Sequence, residues 1–135
     1  MGIILDTSAV IVLERRATGW DALFETAGDL PVFMPAIVWG ELLVGVQLAD
    51  SVDRALKRKE RLDRLRASVP IIPFTEATAA IYAELFAEAS NRGKPIPTND
   101  LCVICTAVLY GHSVLVGPKQ EKHFQQVSRV RVVVL

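Results

Sequence analysis

The sequence opens with Met1-Gly2-Ile3-Ile4-Leu5-Asp6-Thr7-Ser8, in which an apolar run ends at an acid and two hydroxyl residues. A continuous apolar run such as residues 2–5 is typical of a strand covered on both faces of a parallel sheet. Asp6, Thr7 and Ser8 can each cap a helix, so we expect a helix to begin directly after the strand. An acid in this position lies at the carboxyl edge of an open sheet, where ligands usually bind.

Length and composition limit the class of protein. The chain has 135 residues, of which 51% are hydrophobic, and this suits one globular domain spanning residues 1–135. Fifteen basic and fifteen acidic residues give a net charge of zero, so overall charge does not indicate nucleic-acid binding. The sequence has no run of about 18 apolar residues, and its N-terminus lacks a charged leader with a cleavage site. We therefore expect a cytoplasmic protein that does not bind a membrane.

Short apolar runs alternate with segments of helical length. Strands are predicted at residues 2–5, 32–34, 70–74, 113–116 and 130–135. Helices are predicted directly after residue 8 and at residues 19–27, 35–49, 51–68, 75–91, 98–110 and 119–126. Pro35 suits a first helical turn, and Thr98 or Asn99 suits an N-cap. Alternation of this kind predicts right-handed crossovers and a mainly parallel sheet, an α/β sandwich.

Three acids stand in surroundings that are unusual for solvated surface acids. Asp6 ends the first strand, Glu41 is the only ionisable residue of an apolar helix, and Asp100 opens a buried helix. If the fold brings them together, they raise one another's pKa unless a cation neutralises them. Carboxylate oxygens select Mg²⁺ or Mn²⁺, and such a cation can activate a water against a phosphodiester. One interpretation is therefore a metal site that acts on phosphodiesters.

Each acid also has a structural interpretation, which the residues alone leave open. Asp6, placed before Thr7 and Ser8, is often only a helix cap. Glu41 can pair with an arginine, since a buried charge needs a partner. Asp100 can stabilise the helix dipole from the first turn.

The other candidate groups favour structural roles. Cys102 and Cys105 have the spacing of a redox pair, but they lie inside an apolar helix and not at its exposed N-terminus, which favours core cysteines. His112 and His123 lack a partner at ligand spacing, so surface or loop roles are favoured for both. The basic residues within 54–66 form one side of an amphipathic helix and would contact RNA only if they lay beside the acids.

Several short motifs, taken together and in order, resemble a known family. They are Ile3-Ile4-Leu5-Asp6-Thr7-Ser8, Pro35-Ala36-Ile37-Val38-Trp39-Gly40-Glu41-Leu42, Asn99-Asp100-Leu101, and Val114-Leu115-Val116-Gly117 with His123-Phe124. Their order and spacing over the whole chain are similar to those of PIN-domain ribonucleases. Within that family the chain most resembles the VapC toxins of toxin–antitoxin pairs.

This resemblance implies a fold and an activity. The fold would be a three-layer α/β/α sandwich around a mainly parallel sheet of about five strands. The activity would be endonucleolytic cleavage of RNA that depends on Mg²⁺ or Mn²⁺. Asp6, Glu41 and Asp100 match the acidic metal-site positions of the family and would carry the catalysis.

The resemblance also implies supporting residues and partners. Thr7 or Ser8 would support Asp6 by hydrogen bonds, and Asn99 would do so for Asp100. The expected protein partner is a small VapB-like antitoxin whose C-terminal tail covers the active site. The chain itself would form a homodimer, as is usual in this group.

The chain departs from the family pattern after the fourth predicted strand. The family often carries a polar group such as Thr-Asn-Asp there, which supplies a fourth acid or an amide, whereas residues 116–121 read Val-Gly-Pro-Lys-Gln-Glu. Gln120 or Glu121 would have to substitute for that ligand, or Lys119 would place its ammonium group where a second metal binds. The expectation is a single-metal site built on three acids.

Two other functions stay open on the sequence alone. A PIN-like module with a degenerate fourth position would bind RNA or a peptide without cutting it. A phosphoacceptor receiver domain would share the alternating topology, with Asp6 in an acidic pocket. That fold needs an acid at the end of a mid-chain strand, which this sequence lacks.

Overall fold

A computed structural model describes the backbone of residues 1–135 and the side chains of all of them except Glu121. The strands are β1 (Ile3–Leu5), β2 (Val32–Pro35), β3 (Ile71–Ile72), β4 (Ser113–Val116) and β5 (Val132–Val134). They form one parallel sheet in the order β3-β2-β1-β4-β5. The five-stranded parallel sheet expected from the sequence is thus confirmed.

Helices fill the connections between the strands. They are α1 (Thr7–Glu14), α2 (Asp21–Ala27), α3 (Ala36–Gln47), α4 (Val52–Ser68), α5 (Glu76–Asn91), α6 (Thr98–Tyr110) and α7 (Glu121–Gln125). They flank the sheet in the expected α/β/α arrangement, with α5 packed on α6 and α3 packed on α4. None of the described helices is both long enough and apolar enough to cross a membrane.

The start of α3 and the N-cap of α6 differ from the predictions. Pro35 is the last residue of β2 and the N-cap of α3, and it does not belong to the first turn of that helix. Pro97 is the N-cap of α6, in place of Thr98 or Asn99, so no side chain caps this helix. In both cases the residue before the helix is extended, with ψ near 145° and 142°, which proline adopts readily because its φ is fixed.

Each edge strand is three residues shorter than predicted. Pro70 and Pro73 flank β3, and neither can donate a backbone hydrogen bond, so the ladder is confined to the two residues between them. β5 begins at Val132 and not at Val130, because Val130 lies in a turn, where its amide donates to the Val127 carbonyl at 3.4 Å. Both strands lie at the edges of the sheet, where fewer contacts enforce extended backbone.

The strand order creates a crevice beside β1. The chain adds β2 and β3 on one side of β1 and then crosses to add β4 and β5 on the other side. Open parallel sheets bind ligands at the carboxyl ends of the strands, at the point where the order reverses. Asp6 lies at this point, and its amide donates to the Leu115 carbonyl of β4 at 3.0 Å.

The core explains why the first motif folds as it does. Ile4, Leu5, Val114 and Leu115 are fully buried because β1 and β4 lie at the centre of the sheet with helices on both faces. Apolar side chains are therefore required at every position of these strands, without the alternation of a half-exposed strand. Asp6, the first polar residue after β1, lies at the carboxyl edge of the sheet.

Candidate active site

Asp6 is both the cap of α1 and a buried acid. Its Oδ2 atom accepts a hydrogen bond from the Ser8 amide at 3.0 Å and another from the Ser8 hydroxyl. The residue is only 5% exposed. Burial raises the pKa of Asp6 above its ordinary value, the bonds from Ser8 lower it in part, and the charges of Asp100 and Glu41 raise it further. The structural and functional interpretations of Asp6 therefore describe the same carboxylate.

Glu41 projects from α3 toward the start of α1. The Thr7 hydroxyl donates to its Oε1 atom at 2.8 Å. No described arginine forms an ion pair with Glu41, so the pairing considered from the sequence is not made. Burial raises the pKa of the Cys102 thiol of α6, and the charge of Glu41 raises that pKa further.

Asp100 lies in the first turn of α6 and is held from a different element. Its Oδ2 atom is 2.7 Å from Nδ1 of His123, which belongs to α7. Asn99 is exposed and makes no side-chain hydrogen bond to Asp100 in the described part of the chain. The described side chain that contacts Asp100 is thus His123, and the supporting role of Asn99 stays a prediction.

The turn after β4 is anchored to the first motif. The Gly117 amide donates to the Ser8 hydroxyl at 2.9 Å, and that hydroxyl in turn donates to Asp6. A Cβ atom on Gly117 would lie 2.7 Å from the Ser8 carbonyl oxygen, so only glycine permits this approach. Ser8 thereby couples the position of the turn to the orientation of Asp6.

The three acids face one edge of the sheet without forming a closed ligand set. The pKa of Asp6 responds to the charges of both others, yet no three described His, Cys, Asp or Glu side chains lie close enough to hold one ion. Each carboxylate instead binds a donor of its own chain, namely Ser8, Thr7 or His123. Carboxylate oxygens at a shared edge nevertheless have the donor chemistry that Mg²⁺ or Mn²⁺ prefers.

The comparison with known proteins identifies the family. Residues 3–127 match the PIN domain, a span that includes all three acids and the β4–α7 turn. The chain belongs to the PIN domain family. The family resemblance inferred from the short motifs is confirmed.

The relatives of this PIN domain cover nearly its whole length. Ribonuclease VapC1 of Rickettsia felis is 28% identical over 115 residues, which are 85% of this chain and 84% of that protein. The structure of VapBC2 from Rickettsia felis, bound to a DNA fragment from its promoter, matches 100% of this chain and 99% of that chain at 20% identity, with a TM-score of 0.87. FitAcB from Neisseria gonorrhoeae matches 96% of this chain and 95% of that chain at 29% identity, with a TM-score of 0.78. The fold is therefore shared from end to end.

The side chains expected at the fourth ligand position of this PIN domain lie in the β4–α7 segment. Gln120 is exposed and provides no side-chain cap to α7. Lys119 is also exposed and has a left-handed backbone, with φ of 74°. The side chain of Glu121 lies outside the described part of the structure. The described residue of this segment that contacts an acid is His123, for which the sequence had favoured a surface or loop role.

The cysteines of this PIN domain lie within α6, as the sequence predicted. Cys105 is fully buried and Cys102 is partly buried, and both are free thiols. Burial, followed by the neighbouring Cys102, raises the pKa of Cys105 to about 12. Thiols with raised pKa values are poor nucleophiles at neutral pH, which supports a packing role for the pair.

Proposed function

We propose that this PIN domain is a metal-dependent endoribonuclease and the toxin of a toxin–antitoxin pair. The proposal rests on one observation, the buried carboxylate of Asp6 at the carboxyl end of the central strand, facing the charges of two further acids. The relationship to ribonuclease VapC1, at 28% identity, supports RNA as the substrate. The structural similarity to VapBC2 supports a toxin–antitoxin context.

The carboxylate oxygens of the three acids have the donor chemistry that a hard divalent cation prefers, although no three described side chains lie close enough to hold one ion. Asp6 and Asp100 would hold Mg²⁺ or Mn²⁺ directly, and Glu41 would bind directly or through a water. When bound, the cation supplies Lewis acidity and a water of lowered pKa. Binding would also offset burial, the main cause of the raised pKa of Asp6, and the smaller repulsion from Asp100 and Glu41.

The residues of the chain would align the reaction. Ser8 fixes Asp6 with two donors, and Thr7 fixes one carboxylate oxygen of Glu41. The second oxygen of Glu41 is then available to accept a hydrogen bond from the water that attacks the phosphorus in line with the leaving oxygen. Because the acceptor oxygen of Glu41 is already held in place, less entropy is lost when the attacking water is oriented.

Cleavage of RNA with and without metal tests the proposed activity. We expect the purified wild-type chain to cut single-stranded RNA internally in the presence of Mn²⁺ or Mg²⁺, and to lose that activity in EDTA because the cation that supplies the Lewis acid and the water of lowered pKa is then removed. Gel analysis of an end-labelled RNA would detect the fragments. Equal cleavage with metal and with EDTA would contradict a metal-dependent mechanism.

The same assay decides the alternative of a non-catalytic binding module. The observation that favours this alternative is that each acid already binds a donor of its own chain, so no described ligand set is closed. A protein that retains RNA in a filter-binding assay but cuts none with either cation would be such a module. Internal cleavage with metal would exclude it.

An exposed aliphatic surface on α3 and α4 supports a protein partner. Leu48 and Val52 are 79% and 77% exposed, and Val44 and Leu56 are more than half exposed. The adjoining groove of about 450 Å³ is lined mainly by basic residues, which are Arg54, Lys57, Arg58 and Arg61. We propose that the antitoxin docks here through an amphipathic segment that presents apolar side chains flanked by acids.

Val52→Asp should weaken binding of that partner by about 30-fold or more, because an unpaired charge would be buried against apolar side chains. Folding should be preserved, since Val52 is the first residue of α4, where the helix dipole favours an acid. The measurement is calorimetric titration with the VapB-like antitoxin that the proposal predicts.

Leu30→Asp provides the matched control, because Leu30 is also exposed but precedes β2. Unchanged affinity of Val52→Asp, or equal weakening by both variants, would show that the aliphatic surface on α3 and α4 is not the docking site.

A homodimer and a cytoplasmic location stay predictions. Phe74 and Phe86 are 49% and 51% exposed, and both contact the ring of Tyr82. We propose this aromatic row on and beside α5 as the surface for a second copy, because large exposed apolar groups often mark interfaces.

A further inference from the structure

The contact between His123 and Asp100 joins two elements that the sequence did not connect. Nδ1 of His123 lies 2.7 Å from Oδ2 of Asp100, and both side chains are partly shielded from solvent, being 39% and 24% exposed. An ionised carboxylate has only acceptor atoms, so Nδ1 must carry the hydrogen of this bond. The contact therefore fixes which ring nitrogen of His123 is the donor.

The structure around α7 holds His123 in place. Its neighbour Phe124 is fully buried and anchors the short helix in the core. At the other end of the β4–α7 segment, the Gly117 amide binds the hydroxyl of Ser8, which supports Asp6. The segment is thus fixed at one end to a residue that supports Asp6 and at the other end to the core.

We propose that His123 is the positioning residue of Asp100, which it contacts from the segment after β4. This inference rests on the proposed function, because it assigns His123 a role toward the divalent cation. Donation from Nδ1 uses one lone pair of Oδ2 and leaves Oδ1 and the second lone pair of Oδ2 available to the metal. Hydrogen-bonded partners of this kind orient carboxylate ligands and increase metal affinity.

A purely structural ion pair makes a different prediction. Exposed or half-exposed pairs contribute little to folding, so loss of such a pair would leave both stability and metal affinity nearly unchanged. A positioning role instead changes the affinity for metal while stability is kept. Metal binding in the absence of RNA therefore separates the two roles.

The experiment compares Mn²⁺ binding by the full-length chain and its variants, measured by the electron paramagnetic resonance signal of free Mn²⁺. His123→Ala should bind Mn²⁺ about 10-fold more weakly, or worse, than wild type. His123→Asn places an amide N–H near the position of Nδ1 and should recover most of the affinity, whereas His123→Gln places it near Nε2 and should not. Lys122→Ala, an exposed neighbour on α7, should behave as wild type.

A second readout uses cleavage. The Mn²⁺ concentration that gives half-maximal activity should rise for His123→Ala by the same factor as its dissociation constant, with kcat at saturating Mn²⁺ close to that of wild type. Circular dichroism at each step verifies that the variants are folded, and His123→Asn keeps the test decisive if His123→Ala unfolds.

The outcomes distinguish this inference from the proposed function. Wild-type protein that binds no Mn²⁺ would overturn both. Wild-type protein that binds Mn²⁺ and cuts RNA, with His123→Ala binding equally well, would overturn the role of His123 and leave the ribonuclease proposal standing. Equal weakening by Asn, Gln and Ala would also overturn it, because the donor position would then be irrelevant.

Discussion

Asp6→Asn should lower the rate of metal-dependent RNA cleavage by about 100-fold or more, since one direct carboxylate ligand supplies roughly 3 kcal/mol of the stabilisation that a bound cation gives the transition state. Asp6 lies at the crevice where the strand order reverses, and its carboxylate is fixed by two donors from Ser8. The measurement is kcat/KM on an end-labelled RNA at saturating Mn²⁺.

Asp29→Asn is the matched control, because Asp29 is an exposed acid in the loop before β2, at the opposite edge of the sheet. It should cleave RNA at the wild-type rate. If Asp6→Asn retained that rate as well, Asp6 would not be a ligand or a catalytic residue.

In EDTA, Asp6→Asn should be at least as stable to unfolding as wild type. Asparagine keeps an oxygen that can cap α1, so the bonds from Ser8 can persist. Because the pKa of Asp6 is raised in the fold above its ordinary value of 3.8, the folded state binds the proton more tightly than the unfolded state does. The charged form therefore costs stability as pH rises through the raised pKa, and Asp6→Asn removes that cost. A thermal unfolding temperature at pH 7 well below that of wild type would contradict this account of the carboxylate.

Phe124→Ala should lower the free energy of unfolding by about 3–5 kcal/mol, since it removes a large, fully buried ring and leaves a cavity. The loss is a large part of the roughly 5–15 kcal/mol that stabilises an ordinary domain. Urea denaturation followed by circular dichroism would measure it. The local effect should be release of α7, which Phe124 anchors to the core.

Phe86→Ala is the control for this prediction, because the Phe86 ring is half exposed on α5. Its free energy of unfolding should change by less than about 1 kcal/mol. Similar losses for the two variants would mean that burial of Phe124 is not what secures α7.

Local patterns in the sequence were enough to predict the elements of the fold. The apolar runs at β1 and β4 have no polar alternation, and this is the pattern of strands buried on both faces. The order of the strands in the sheet depends instead on which distant segments pair. The position of β4 beside β1, more than 100 residues apart in sequence, follows from contacts that no local window contains, such as that between Gly117 and Ser8.

The candidate site was predicted in part for the same reason. An acid in an apolar environment is visible in the sequence, and Asp6, Glu41 and Asp100 were found in this way. Support of Asp6 was expected from Thr7 or Ser8 without a choice between them, because the two residues have the same chemistry and sit side by side. Only the fold assigns Ser8 to Asp6 and Thr7 to Glu41.

The contact of His123 with Asp100 was not predicted from the sequence. His123 lies 23 residues from Asp100 in the sequence. No metal-ligating residue type stands at a ligand spacing from it. The signal that could have indicated it was its place next to Phe124, an apolar residue in an otherwise polar segment. Burial of Phe124 indicates that α7 packs on the core, but the sequence does not indicate which acid His123 contacts.

The sequence by itself determined the strands, the helices and the three acids, because hydrophobic periodicity and the cost of burying charge act on each short segment independently of the rest. The motif that ends at Asp6 already contained a buried strand, a helix cap and a carboxylate. Only the tertiary structure decided which hydroxyl supports which acid, that His123 holds Asp100, and that Gly117 approaches Ser8. These contacts join segments far apart in the chain, and hydrogen bonds of this kind depend on the ångström-scale geometry that packing of the whole domain sets.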